Sequence, residues 1–181
     1  MNQNDILEHL SPEVAAAVLA RLLRDDAGLA SRAARIADDL LHHSANVDGV
    51  AADVQMELEC LQAEDLWDRS GAQRDDYHEP TDEAFEMCEE ALQPVFDEWR
   101  RCRELGRIED GKHYCMGLLL GLHLFETESK TEFRGWAEDV PNCLADRVLS
   151  IWSEWCSSPE AADEVTRFLQ EKCPQFAKTG R

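Results

Sequence analysis

The sequence predicts an all-α fold of about seven antiparallel helices, arranged as a short α-solenoid or a helical bundle built from helix hairpins. Three observations predict it. Apolar residues recur at steps of three and four along most of the chain, and start signals such as Ser-Pro-Glu divide it into pieces of helical length. No stretch of useful length alternates apolar with polar residues as a half-buried strand would. Short connections imply antiparallel neighbours, and helix pairs following one another suggest solenoid stacking, although no exact residue-level repeat is present.

Ser11-Pro12-Glu13 opens the first helix with a serine cap, a proline in the first turn and an early acid matched to the helix dipole. Val14, Val18, Leu22 and Leu23 keep one face, and Asp25-Asp26-Ala27-Gly28 ends the element. A second helix, from about Leu29 to His43, carries Ile36, Leu40 and Leu41. A third, from about Val50 to Arg69, places Val50, Val54, Leu58 and Leu61 on one side.

The fourth begins at Pro80-Thr81-Asp82-Glu83 and carries the most regular stripe: Phe85, Cys88, Leu92, Val95, Trp99 and Cys102. Its acids Asp82, Glu83, Glu86, Glu89 and Glu90 precede Arg100, Arg101 and Arg103, which suits the helix dipole at both ends. Pro94 removes a donor inside this run, so a kink near Glu90 is expected with the stripe preserved.

From Glu109 to about Glu126 the pattern is apolar on nearly every side, which marks a central helix. Gly117 and Gly121, one turn apart, each cost roughly 1 kcal/mol relative to alanine, and a closely packed neighbour is the compensation expected. A polar loop from Thr127 to Pro141 is pinned by Phe133 and Trp136. Asn142 then caps a helix bearing Leu144, Val148, Ile151, Trp152 and Trp155, and Ser158-Pro159-Glu160 opens a last one with Val165, Phe168 and Leu169.

A chain of 181 residues fits a single helical domain, with about 1-10 and 175-181 expected to be least ordered. Its 38 Asp+Glu against 18 Lys+Arg give a formal net charge of -20. Repulsion of that size works against nucleic acids and anionic membranes and favours cationic partners. The start Met1-Asn2-Gln3-Asn4-Asp5 lacks the features of a secretory signal, and the apolar run from Tyr114 to Phe125 falls short of the ~20 residues a bilayer needs. A soluble, cytoplasmic protein is expected, with its 7 cysteines as reduced thiols.

Chemistry-bearing residues are scattered. Cys60, Cys88, Cys102, Cys115, Cys143, Cys156 and Cys173 lack the close pairing of zinc ligands, and no Glu-x-x-His occurs for a di-iron bundle. His42 and His43 follow Asp38 and Asp39, and His123 precedes Glu126, as polar helix faces do. His113 and Cys115 point about 200° apart on a helix and form no dyad. Glu83-Ala-Phe-Glu86 matches the first half of the magnesium-binding pattern of all-helical nucleotide pyrophosphohydrolases, but Glu160-Ala-Ala-Asp163 lies far along the chain. No catalytic set, metal site or cofactor is expected.

Most of the 5 tryptophans fall on apolar stripes. Trp67 stands apart, at a helix end beside Asp68 and Arg69 and followed by Arg74, Tyr77, His78 and Glu79, the aromatic and arginine mixture that partner-facing patches favour. These residues are the expected contact surface.

The strings Asp65-Leu66-Trp67-Asp68-Arg69-Ser70-Gly71, Tyr77 to Ala84, Glu89 to Pro94, Gly117 to Leu122 and Phe133 to Pro141 resemble the helical region that follows the zinc-binding domain in bacterial SWIM zinc-finger proteins. The resemblance covers roughly residues 10 to 155 and brings no catalytic residues with it. The SWIM element itself, Cys-x-Cys followed by Cys-x-His, is missing, so a helical-repeat region without the zinc finger is implied, and zinc or DNA binding is not carried over.

The expected function is a non-enzymatic acidic scaffold for a protein partner with a basic or mixed surface. Two alternatives stand beside it: a nucleic-acid mimic presenting acids from Glu57 to Asp68 and Asp82 to Glu98 to a basic DNA-binding protein, and a magnesium- or manganese-dependent phosphohydrolase using Asp82, Glu83, Glu86 or Glu89.

Overall fold

The computed structural model describes residues 11–41, 45–72 and 77–178. By contacts the chain divides into two units, Met1–Ser44 and Ala45–Arg181. Among the described residues there are eight α-helices and two short 3-10 turns.

In the first unit, Ser11 caps α1 (Pro12–Asp25) by accepting from the Val14 N–H. The helix stops at Asp26, whose backbone is extended and whose Oδ1 accepts from the N–H groups of Gly28 and Leu29 at 2.8 and 3.0 Å. One acid thus ends α1 and starts α2 (Ala27–Leu41), two residues earlier than the periodicity suggests. Of the stripe expected to face a core, Val14, Val18 and Leu22 stay 40–50% exposed and Leu23 is half-buried, and Leu19 beside them is exposed too. The side chains of Ile36, Leu40 and Leu41, expected to form the stripe of α2, lie outside the described residues. His42 and His43 lie outside the described residues.

In the second unit, Asn46 caps α3 (Val47–Glu59) through its side chain. The single helix expected from Val50 to Arg69 is two: the backbone becomes extended at Gln62, and α4 (Ala63–Arg69) follows. Periodicity reads across the break because Leu58 and Leu66 are both buried, one on either side of it. Gly71, at φ 98, lets the chain turn into a two-residue antiparallel ladder, β1 (Gly71–Ala72) against β2 (Tyr77–His78).

α5 (Pro80–Glu104) runs through Pro94 as one helix. Its stripe is preserved, with Cys88, Leu92, Trp99 and Cys102 buried, and it is broadened by Ala84, Met87 and Phe96. Gly106, at φ 68, turns the chain into α6 (Ile108–Glu128). This is the central helix, packed by α3, α5, α7 (Val140–Trp155) and α8 (Pro159–Lys172). The main partner of α6 is α3, which is not its neighbour in the chain. In a one-dimensional stack, by contrast, each pair rests on the next.

Gly117 receives Val50, and Gly121 receives Val54. Both numbers rise together by four, so α3 and α6 run parallel, and the expectation of antiparallel neighbours does not describe this pair. Lys112 of α6 is buried, yet its ammonium donates to Glu109 at 2.7 Å and to Glu164 of α8 at 2.5 Å. Burial works to lower its pKa, but the two carboxylates carry it above the ordinary value.

The loop after α6 holds the 3-10 turn Phe133–Trp136. α7 starts at Val140 with Pro141 in its first turn, and Asn142, expected as the cap, instead donates to Glu126 at 3.4 Å. The proline's fixed φ suits a helix start and displaces the boundary. Ser158 caps α8 as its motif indicates. Phe176, in the closing turn Phe176–Lys178, is buried. No described helix is long and apolar enough to cross a membrane.

Candidate functional site

α4 buries Leu66 and leaves the adjacent Trp67 48% exposed. Trp67 does not stand alone. Its indole meets Trp136 edge-on, with ring centroids 4.7 Å apart and planes at 79°. The turn that carries Trp136 is anchored beneath by buried Phe133 and at its side by Arg134, which donates twice, at 2.9 and 2.6 Å, to the Glu126 carbonyl at the end of α6. Both indoles are therefore set on elements fixed to the core.

Beside Trp136 opens a hollow of about 370 Å³, lined by Phe85 and Val140 and edged by Asp82, Glu138 and Asp139. All three carboxylates are exposed. An aromatic side chain and acids lining one hollow are the groups that a cationic side chain favours.

Compared with known proteins, the chain matches no family profile, no curated protein and no solved structure.

The residues expected to form the contact divide. Trp67 reaches the surface patch. Arg69 is engaged elsewhere: its guanidinium bonds Glu90 at 2.8 Å and lies 3.6 Å from Glu83, and the hydrogen bond to Glu90 raises its pKa. Asp68 and Glu79 are exposed, with Glu79 at the entry to α5. Tyr77 and His78 form β2. Arg74 lies outside the described residues.

Trp136, Asp82, Glu138 and Asp139 were not in that set. In the sequence Trp136 reads as a loop anchor and Asp82 as a helix-dipole acid. Only folding brings the start of α5 to the turn before α7.

Of the acids that phosphohydrolysis would use, Glu86 and Glu89 line one shallow hollow with Glu90, and Asp82 lines another. Glu83 is buried against Arg69, while Glu89 pairs with Arg147. Among the described residues no group of three or more His, Cys, Asp or Glu could hold one metal ion. His123 contacts the Gln175 amide, which also donates to Glu126 at 3.1 Å. The cysteines are free thiols, and burial pushes Cys88 and Cys173 up to about 12.

Proposed function

We propose that the chain is a non-enzymatic acidic scaffold that holds a protein partner of basic or mixed surface charge. The observation that carries this reading is the pairing of exposed Trp67 with half-buried Trp136 beside a hollow edged by Asp82, Glu138 and Asp139. A partner lysine or arginine entering the hollow meets the Trp136 ring and the acids together, and Trp67 offers a fixed apolar anchor beside it. A net charge of -20 speeds the approach of a basic partner. The resemblance to the helical region of SWIM zinc-finger proteins belongs to the same proposal, since that region brings no catalytic residues.

A photo-crosslinking residue at position 135, where an added Cβ meets nothing within 4 Å and Trp136 is left intact, followed by mass spectrometry, tests the reading. One basic protein is expected to be recovered reproducibly, with capture weakened by salt and lost on Trp67→Ala or on Glu138→Gln with Asp139→Asn. Capture that ignores these changes removes the contact surface.

A further inference from the structure

We propose a second site, independent of the first: a cleft between α5 and α7 that binds a small planar aromatic carboxylate. The cleft has a volume of about 210 Å³. Roughly 150 Å³ of apolar cavity accepts benzene, so one ring and its carboxylate fit, whereas drug-sized ligands occupy pockets of roughly 300–1,000 Å³.

Its walls are aromatic and fixed. Phe96, Trp99 and Trp155 line it, with Trp99 centred 6.3 Å from Phe96 and 6.0 Å from Trp155. Trp99 is anchored by donating its Nε1–H to the Gly111 carbonyl at 2.8 Å. Trp155 lies so close to Gly111 that a Cβ there would meet its ring at 1.7 Å. Neither indole needs to be ordered when a ligand arrives, which lowers the cost of binding.

The rim reverses the sign of the protein. In a chain with 38 acids and 18 basic residues, Arg100, Arg103 and Arg147 converge here with Glu89 as the one lining carboxylate. Glu89 is engaged by Arg147, which also stands 5.6 Å over the Phe96 ring, and Arg100 bonds Asp97 at 2.8 Å. Among the described residues Arg103 has no carboxylate within ion-pair distance. An arginine with its planar fork open, at the mouth of an aromatic slot, matches a carboxylate carried on a flat ring.

Benzoate titrated into the full chain, followed by tryptophan fluorescence and calorimetry, tests this. Benzyl alcohol supplies the ring without the charge, and acetate the charge without the ring. Saturable benzoate binding is expected, with both controls at least roughly tenfold weaker and Arg103→Gln weakening benzoate by roughly tenfold, the worth of one charge-assisted hydrogen bond. Arg103 is exposed, so this variant keeps the fold, which circular dichroism verifies. No saturable benzoate binding, equal binding of benzyl alcohol, or an Arg103→Gln variant that binds benzoate unchanged would each overturn the assignment.

Discussion

Gly121 on α6 and Val54 on α3 touch so closely that a Cβ built on the glycine would lie 2.5 Å from the valine Cβ and 2.8 Å from the Ala51 carbonyl oxygen. One turn earlier Gly117 repeats the arrangement with Val50, also at 2.5 Å. The two glycines thus form paired notches into which α3 sets two knobs.

Gly121→Ala is therefore expected to destabilise the fold even though alanine is the better helix former. The propensity gain is roughly 1 kcal/mol, while overpacking against a carbonyl that cannot rotate away costs about 2–3 kcal/mol, the upper part of the usual range, leaving a net loss of about 1–2 kcal/mol in denaturant unfolding. Val50→Ala does not rescue the companion Gly117→Ala change, because the nearest atom is the Cβ that alanine keeps.

Stability should depend on pH through the Lys112–Glu164 pair. The hydrogen bond and charge of Lys112 hold the Glu164 carboxyl below its ordinary value of 4.5, so its contribution is complete above that pH and is lost as pH falls through the lowered folded value. Lys112, raised above 10.5, contributes fully below that pH and loses its contribution as pH rises through the folded value. Glu164→Gln is expected to be less stable than the parent at neutral pH. That gap closes in acid, as thermal unfolding followed across pH would record.

Thiol labelling should separate the cysteines by burial. Cys60 and Cys143 are exposed and are expected to react first with a thiol reagent in the native protein. Cys88, Cys102, Cys115 and Cys173 are buried, and burial raises the pKa of each, so they should label only after denaturation. Mass spectrometry of the time course distinguishes the groups, and early labelling of Cys115 would contradict the packing of α6.

Helices with strong local signals are legible in the sequence. Ser11 and Ser158 cap where their motifs place them, and the α5 stripe is buried as its spacing predicts. Misplaced boundaries trace to signals that serve two readings. Leu58 and Leu66 keep a helical rhythm across the break at Gln62, and Pro141 begins a helix whose first cap candidate by residue type is Asn142. Gly117 and Gly121 announce a close approach, but only three dimensions reveal that the guest is Val50 and Val54 and that the pair is parallel. The candidate surface was half visible for the same reason. Trp67 is conspicuous beside its charged neighbours, whereas Trp136 and its acids come from a segment far along the chain.

The paired notches also bear on the order in which the protein is made. Val50 and Val54 leave the ribosome well before the glycines that receive them, and α4, β1, β2 and α5 must be synthesised in between. A parallel pair cannot be closed by a tight turn, so this joint can close only once α6 has been made, and until then the nascent chain carries α3 with its seat still untranslated.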